Sequence, residues 1–405
     1  MDSPVTDLTA PHQLPTLADD PFGDEVLAEP LDFQHRLREA GRVVHLSAYN
    51  LLAIGRYHDV RATMVDWQNF QSGAGVGMTD PRSAKPYRPP GLLLEQDPPQ
   101  HDAPRHITES VLSPPALRRL RESWMQAAEE MVEQLLRRGE VDAVSDFAEA
   151  YPLRVFPDAL GIPKEGRQHL LPYADSVFTS FGPKNGLAER AIATFDRHLQ
   201  WMQSQGARES LTDDGFGAQF FAAADRGDIT HEQAPMLVRG LLTAGIDTTA
   251  HALAALIEGF LSAPDQWQIL RAEPSRARVA FDEAVRWASP VQTFFRTATR
   301  DVAIADVVVA RGDRIMVVLG AANRDPRRWE NPDSFDIQRD PSGHIGFGMG
   351  IHHCVGQHVS RLEAECVLHV LARRVARIEP AGEPRRRLNN TLRGWASLPI
   401  RLVAE

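Results

Sequence analysis

One segment constrains the fold of this chain more than any other: over residues 231–262, apolar side chains occur on nearly all sides of a helix. Thr230 and Gln233 have the spacing of a capping box at its start, and Pro264 follows its end. A helix that is apolar all round has to be covered by protein. The segment therefore predicts a long helix through the centre of a large helical core.

The rest of the chain is mostly helical in its periodicity, with a few short strand-like segments. Helices are predicted over residues 57–67, 114–137, 141–160, 165–178, 187–205 and 214–224. Strands are predicted over residues 43–46, 51–55, 302–309 and 314–320. No internal repeat or linker divides the chain, so we predict a mainly α fold with a minor β region. A single domain is expected over residues 19–405, after a flexible N-terminal tail over residues 1–18.

Composition excludes several classes of protein. The chain has 405 residues, 43% of them hydrophobic, which is enough for one large core. Its formal charge is −10 and no basic block is interleaved with aromatic residues, so we expect no nucleic-acid partner. Only two cysteines, Cys354 and Cys366, are present, which is typical of the reducing cytoplasm. The first twenty residues lack the pattern of a signal peptide or membrane anchor, so we expect a cytoplasmic monomer without membrane attachment.

The residues that carry chemistry lie near the C-terminus, where residues 347–356 read FGMGIHHCVG. Cys354 lies in this glycine-rich loop, directly before an amphipathic helix that begins near Gln357. Backbone donors and the positive end of a helix stabilise a thiolate that ligates iron. Gly348 and Gly356 allow the chain to pass close beneath a flat macrocycle, and Phe347 would cover one edge. The loop predicts a haem-thiolate site with Cys354 as the iron ligand.

Two other interpretations of Cys354 remain. An intracellular cysteine is most often a small buried hydrophobic residue. His352, His353 and His358 also crowd around Cys354, which would suit zinc, although the paired C-x-x-C or H-x-x-x-H ligands of zinc modules are absent from the sequence.

A second pattern lies in the predicted long helix. Gly240, Thr243, Ala244, Asp247 and Thr248 fall at spacings that place them on one stripe. Small residues there could simply permit close helix packing. Beside a haem, the stripe has a chemical use: Ala244 leaves room for dioxygen, Thr248 offers a hydroxyl, and Asp247 can relay protons from solvent.

Charged residues elsewhere could support such a site. Glu283 and Arg286 lie three residues apart on a predicted helix and can pair, and Arg339 is expected to join Glu283. Pairs of this kind are also common on protein surfaces. The two propionates of a haem would need charged or polar partners, and each of the following residues is either such a partner or a solvated surface group. They are His101, Arg105, Arg296 and His352.

From about residue 20 onwards, the sequence resembles the bacterial class I cytochrome P450 monooxygenases. The resemblance rests on the Cys354 loop, the pair Glu283 and Arg286, AGIDT at 244–248 and DPPQH at 97–101, in the family's order and spacing. It implies the cytochrome P450 fold, a triangular helical domain with haem b between the long central helix and the cysteine loop. It also implies O2 as the oxidant, and an iron-sulfur ferredoxin with its NAD(P)H-dependent reductase as the electron source.

Further stretches resemble the branch that demethylates 4-methoxybenzoate and oxidises other para-substituted benzoates. They are RPP at 88–90, PVQTFFR at 290–296, ANRDPRRW at 322–329 and NNTLRG at 389–394. By this resemblance the substrate is a small aromatic acid, with Arg88 helping to hold its carboxylate and Leu392 closing the pocket. The residues implied around the substrate are Arg88, Gly91, Leu94, Phe178, Phe181, Gly240, Thr243, Ala244, Val291, Phe294 and Leu392.

The sequence departs from that branch at the head-group end of the pocket. Where the branch binds the carboxylate with serines, this chain has Gly91, Gly240 and Thr243. A roomier pocket for a larger or non-carboxylate aromatic, cinnamate-like or phenolic, is therefore an alternative. A haem-binding protein without oxygenase turnover is a second alternative, and an enzyme that uses peroxide or isomerises its substrate is a third.

Overall fold

The computed structural model describes residues 14–82, 88 and 90–405. Helices dominate this part of the chain. The α-helices are α1 (Asp24–Ala28), α2 (Leu31–Ala40), α3 (Tyr57–Val65), α4 (Asp102–Val111), α5 (Pro114–Arg118), α6 (Arg121–Arg138), α7 (Ala150–Leu160), α8 (Leu170–Thr179), α9 (Gly186–Gln205), α10 (Phe216–Asp225), α11 (Gln233–Gly245), α12 (Asp247–Ser262), α13 (Pro264–Ala272), α14 (Ala277–Ala288), α15 (Leu319–Asn323) and α16 (Gln357–Arg374). A π-helical turn covers Ala143–Ala148, and 3-10 turns cover Arg167–His169, Arg208–Ser210, Pro274–Arg276 and Gly350–His352.

The β structure is minor and lies in small sheets. Its strands are β1 (Thr16–Leu17), β2 (Val44–Leu46), β3 (Leu51–Ile54), β4 (Phe70–Gln71), β5 (Glu140–Asp142), β6 (Thr293–Ala298), β7 (Val302–Ile304), β8 (Val307–Val309), β9 (Arg314–Val318), β10 (Val375–Pro380), β11 (Arg385–Arg387), β12 (Gly394–Ser397) and β13 (Pro399–Ala404). The largest sheet has the order β1-β2-β3-β9-β6-β4, and the others are β10-β13-β5, β11-β12 and β7-β8.

The largest sheet presents β6 to the interior of the protein. In β6, Arg296 lies opposite Ile315 of the antiparallel strand β9, and Phe294 lies opposite Val317. Because alternate residues of a strand share a face, Phe294 and Arg296 point to the same side. That side borders the cavity described below.

The predicted long helix exists and is buried. The Thr230 amide donates to the Gln233 side chain over 2.9 Å, and the Gln233 amide donates to the Thr230 hydroxyl over 3.2 Å, which forms the expected capping box. The helix is interrupted once, at Ile246, between α11 and α12. The stretch Gln233–Ser262 is long and apolar enough to cross a membrane, but protein covers most of it, so it is a core helix.

Several predicted boundaries were wrong. Residues 141–160 do not form one helix, because β5 pairs with β13 and the Asp142 carboxylate then caps the π turn through the Val144 amide at 2.8 Å. The helix predicted over 114–137 is split into α5 and α6. The strand predicted over 302–309 is a hairpin that turns at Ala305. The flexible tail predicted over 1–18 does not extend to residue 18, because β1 pairs in parallel with β2. Residues 1–13 of that predicted tail lie outside the described residues.

Candidate active site

A buried cavity separates the long helix from the Cys354 loop. Side chains of α8, α11, α12 and β6 line one part of it, and the loop from Gly346 to Gly356 lines another. Of the residues predicted to hold a haem, Arg105, Ala244, Arg296, Phe347, Gly348, His352, Cys354 and Gly356 border this cavity. His101 does not border it but lies directly behind His352, with the two ring centres 5.0 Å apart.

The Cys354 loop is built to hold sulfur at a fixed place. Gly348 and Gly350 have φ angles of +72° and +67°, which only glycine adopts without strain. These turns bring the Phe347 carbonyl within 2.7 Å of the Cys354 amide. Burial raises the pKa of the Cys354 thiol, while the backbone amides of Gly356 and Gln357 donate to the sulfur and oppose that rise. A bound iron cation would lower the pKa of the Cys354 thiol further, because cysteine binds metals as the deprotonated thiolate.

Unpaired buried donors near the cavity fit a dianionic cofactor. Arg296 is 1% exposed and borders the cavity, yet its Nη2 has no hydrogen-bond partner in the described part of the chain. Burial lowers the pKa of Arg296 to about 10, with Asp97 as the nearby opposing charge. His101 is 3% exposed; its Nε2 has no hydrogen-bond partner among the described residues, and its Nδ1 lies 3.5 Å from the Asp102 carboxylate. Buried cations and donors of this kind require counter-charges, and the propionates of a haem would supply them.

The other two residues predicted to hold propionates already have protein partners. Arg105 donates to the His353 carbonyl and to Glu109, both over 2.7 Å. The ring nitrogens of His352 lie 3.1 Å from the Leu93 carbonyl and 3.3 Å from Asp97. These contacts hold the Cys354 loop against α4 and the segment before α4.

The zinc alternative finds no support in the geometry. Within residues 14–82, 88 and 90–405, no group of three or more His, Cys, Asp or Glu side chains is arranged to hold a metal ion. His353 instead pairs with Gln357 at 2.9 Å, and His352 faces Asp97.

The break in the long helix lies beside the cavity. The Thr248 hydroxyl donates to the Ala244 carbonyl over 2.6 Å, and the Thr249 hydroxyl donates to the Gly245 carbonyl over 2.9 Å. Hydroxyls that bond back to the preceding turn bend helices. Ala244, Gly245 and Thr248 all border the cavity. The hydroxyl and the bent turn therefore face the space above Cys354.

The single stripe predicted along the helix was wrong for Asp247. An uninterrupted helix would turn Asp247 to the same side as Ala244. After the break at Ile246, Asp247 is fully buried and is not among the residues that line the cavity. Burial raises the pKa of its carboxyl to about 7, with Arg387 and Asp175 as the nearest charges.

Aromatic side chains form the wall of the cavity opposite the loop. Phe178 and Phe181 meet edge to face with ring centres 5.8 Å apart, and Phe181 and Phe294 lie 6.1 Å apart. Val291 and Leu94 border the same space. Leu392 does not: it forms an isolated antiparallel bridge with Val291 and lies behind it. Edge-to-face clusters of this kind suit a flat aromatic ligand.

Arg88 borders the cavity, but its charge already has a partner. Its Nη1 and Nη2 both donate to Glu95 over 2.7 Å, and its Nε donates to Ser180 over 2.8 Å. Glu95 is 3% exposed and also accepts from the Gly91 amide. A bidentate pair of this kind is close to neutral as a unit. Arg88 alone is therefore a weaker carboxylate anchor than the sequence predicted.

Arg239 was not predicted as a site residue. It borders the cavity one residue before Gly240, and it is the only arginine or lysine between residues 233 and 262, which is the signal that could have identified it. The structure records no hydrogen bond or ion pair for its guanidinium within the described ranges. Next to it the helix is open: a Cβ on Gly240 would meet nothing within 4 Å, and one on Gly91 would meet only Glu95 at 3.8 Å. The Thr243 hydroxyl is used within the helix, donating to the Arg239 carbonyl over 2.7 Å.

A buried ion network stabilises the region behind the loop. The Arg286 Nε and Nη2 donate to Glu283 over 2.7 and 2.8 Å, and both side chains are fully buried. Arg339 joins Glu283 at 3.3 Å. Arg286 also donates to the Asn323 and Pro332 carbonyls, each over 2.9 Å. The network thus ties α14 to the segment that leads into the Cys354 loop.

Comparisons with known proteins agree with this geometry. The family model described as cytochrome P450 matches residues 185–401. Cytochrome p450 CYP199A2 of Rhodopseudomonas palustris is 51% identical over 401 residues, which cover 98% of this chain and 97% of that protein. Cytochrome P450-terp of a Pseudomonas species is 33% identical, with 77% of this chain and 76% of that protein covered. Among solved structures, CalO2 matches with a TM-score of 0.81 and 27% identity, over 95% of this chain and 99% of that one.

Proposed function

Because the chain belongs to the cytochrome P450 family and is a haem-thiolate monooxygenase, we propose that it hydroxylates or O-demethylates a small para-substituted aromatic acid. One observation carries the proposal: Arg239 borders the same cavity as the aromatic side chains, and its guanidinium has no hydrogen bond or ion pair among the described residues. With Arg296 assigned to the cofactor, Arg239 is the unpaired cation left for the substrate, and it selects a flat ligand with one negative end. The residue resemblance to the benzoate-oxidising branch supports the same class.

The arrangement along the helix suits such a ligand. Arg239 and Thr248 are nine residues apart, which is about 13 Å along the helix axis. Both residues border the same cavity. Holding the carboxylate at Arg239 would direct the para group towards Thr248 and the space above Cys354, because a ring fixed at one end has little freedom at the other.

Haem bound through the Cys354 sulfur would supply the activation of dioxygen. Cys354, Arg296 and His101 are the residues that would hold it. For a 4-methoxy substrate the reaction consumes O2, two electrons and two protons, and it yields the phenol, formaldehyde and water. This chain provides the proton route, with Thr248 at the cavity and Asp247 behind it. Phe178, Phe181 and the other apolar residues of the wall exclude bulk water.

The electron source in this proposal is an iron-sulfur ferredoxin with an NAD(P)H-dependent reductase, as in class I enzymes, and the compartment is the cytoplasm. A basic group where α5 ends and α6 begins, Arg118, Arg119 and Arg121, would meet an acidic donor. Arg121 is already paired with Glu365 at 3.0 Å, so a basic face that contacts only solvent is the other interpretation of this group.

A larger acid is the second candidate, and one observation favours it. Both Gly91 and Gly240 face open space at the head-group end of the cavity. An extra vinyl group between ring and carboxylate, as in a cinnamate, would occupy that space without displacing a side chain. A smaller benzoate would leave this space to a water molecule, which can bridge the benzoate carboxylate to Arg239.

The test is a titration of the purified haem protein, which needs no redox partner. Optical difference spectra would be recorded with 4-methoxybenzoate, 4-methoxycinnamate and a neutral 4-substituted anisole of matched size. We expect both acids to convert the iron to the high-spin form at lower concentration than the neutral ligand. A marked preference for the neutral ligand would refute acid recognition, and the order of the two acids separates the two candidates.

A further inference from the structure

A histidine that the oxygenase chemistry above does not use lies beside the buried acid. His251 is one helical turn after Asp247 on α12, and its Nε2 is 3.4 Å from Asp247 Oδ1. The two side chains are 4% and 1% exposed. Neither that nitrogen nor either Asp247 oxygen has a hydrogen-bond partner in the part of the chain that the structure describes. Two unsatisfied polar groups this close can satisfy each other only by sharing a proton.

The charges around the pair favour retention of that proton. Arg387 on β11 pairs with Glu149 at 3.3 Å and with Asp175 of α8 at 3.2 Å. These three are the charged groups that face Asp247 and His251 from neighbouring elements. The cluster therefore holds three carboxyl groups, those of Asp247, Asp175 and Glu149, against one guanidinium. An excess of negative charge in a buried site raises its affinity for a proton.

We propose that Asp247 and His251 hold one proton in common, and that His251 is a positioning residue that keeps Asp247 supplied with it. The proton moves from the Nε2–H of the imidazolium to Oδ1 of the carboxylate, which leaves a neutral imidazole and a neutral carboxyl. Once Asp247 has passed that proton on towards Thr248, a proton from bulk water replaces it along the edge formed by Arg387, Glu149 and Asp175, whose side chains are 27%, 22% and 26% exposed. The transfer within the pair leaves its charge unchanged, and the proton lost towards the cavity is balanced by the one gained from water.

The surrounding chain fixes the position of the His251 imidazole. A Cβ on Gly394 would lie 2.0 Å from His251 Nδ1, so only glycine fits at the start of β12. The ring therefore cannot swing towards β12 and stays beside Asp247. Burial moves the pKa values of the two groups apart, raising that of Asp247 to about 7 and lowering that of His251 to about 4. Their mutual attraction when charged opposes this separation.

The proposal is tested without turnover by nuclear magnetic resonance of the haem protein in its diamagnetic ferrous carbonyl form. With histidines labelled at Cε1, the His251 signal is assigned by its absence from His251→Asn and followed from pH 4 to 9. We expect its titration midpoint to fall by about one pH unit or more in Asp247→Asn, because the neighbouring carboxylate is lost. An unchanged midpoint would overturn the shared proton. This measurement uses no substrate, so its failure is distinct from a failure of the aromatic-acid proposal.

A second readout is the pH dependence of coupling, the amount of product formed per NADH consumed. In His251→Asn we expect the alkaline loss of coupling to move to lower pH by about one unit, since Asp247 alone holds its proton less tightly. His251→Gln should shift the pH profile of coupling in the same direction as His251→Asn. His369→Asn on α16 is the matched control and should leave that profile unchanged. Carbonyl spectra first confirm that each variant binds haem. A variant that lowers coupling equally at every pH would show a merely structural role and overturn the proposal.

Discussion

Replacing Arg239 by glutamine should weaken the binding of an aromatic acid and leave a neutral ligand unaffected. Arg239 borders the cavity without a protein partner among the described residues, whereas Arg88 is already bound to Glu95 through two hydrogen bonds. A substrate carboxylate therefore has one cation available to it at this end of the cavity. Glutamine keeps the approximate length and a donor but removes the charge.

The size of the effect follows from how buried the group is. A hydrogen bond to a charged group contributes about 1.5–3 kcal/mol, and partial exposure reduces it. Arg239 is neither fully buried nor exposed, so the lower half of that range applies. At about 1.5–2 kcal/mol, the Kd for 4-methoxybenzoate should rise roughly 10- to 30-fold.

The assay is the spin-state titration of wild type, Arg239→Gln, Arg239→Lys and Arg190→Gln. The lysine variant keeps the charge and should lose less affinity than the glutamine variant. Arg190 is an exposed residue of α9 outside the cavity and serves as the surface control. The Kd for the neutral anisole should be the same in all four proteins. Equal acid affinity in wild type and Arg239→Gln would refute the assignment of Arg239 as the anchor.

Three further predictions follow from the geometry. Gly240→Ser has room for its side chain and adds a donor beside Arg239, so the Kd for 4-methoxybenzoate should fall about fivefold, and weaker binding would contradict the open space inferred there. Glu283→Ala leaves the charge of Arg286 buried without its carboxylate partner, so urea unfolding should show a loss of about 3–5 kcal/mol and easier haem loss, against less than about 1 kcal/mol for Glu129→Ala, whose carboxylate is partly exposed. Glu363 is fully buried, and burial raises the pKa of its carboxyl well above the usual range. The neutral carboxyl therefore contributes its full stability below the pKa that Glu363 has in the unfolded protein. That contribution is lost as the pH rises through the pKa that it has in the folded protein. Glu363→Gln should therefore gain thermal stability relative to wild type between pH 5 and pH 8, and a constant difference across that range would be evidence against the neutral buried carboxyl.

Local sequence signals predicted the elements whose causes are local. The capping box of Thr230 and Gln233 and the apolar surface of the following helix located the central helix to within two residues at its start. The glycines of the Cys354 loop indicated tight turns, and Gly348 and Gly350 do have positive φ angles. Each of these features depends on residues a few positions apart.

The features that the sequence did not reveal depend on distant partners. Helical periodicity placed Asp247 on the cavity side, but Asp247 is fully buried outside the cavity lining, with Arg387 and Asp175 as the charges near it. The resemblance implied that Arg88 helps to hold the carboxylate, and nothing in its own segment indicates that Glu95 is turned back to meet it. Residues 140–142 pair with β13, some 260 positions later, and this pairing outweighs their helical pattern. Tertiary contacts of this kind override local preference.

The central claim is that the Cys354 sulfur bonds the iron of a haem. The most direct measurement is the absorption spectrum of the ferrous carbonyl complex in wild type and Cys354→Ser, with Cys366→Ser as the matched control. We predict the long-wavelength Soret band of a thiolate complex in wild type and Cys366→Ser, and its complete loss in Cys354→Ser. Survival of that band in Cys354→Ser, or its absence from the wild-type protein, would contradict the account.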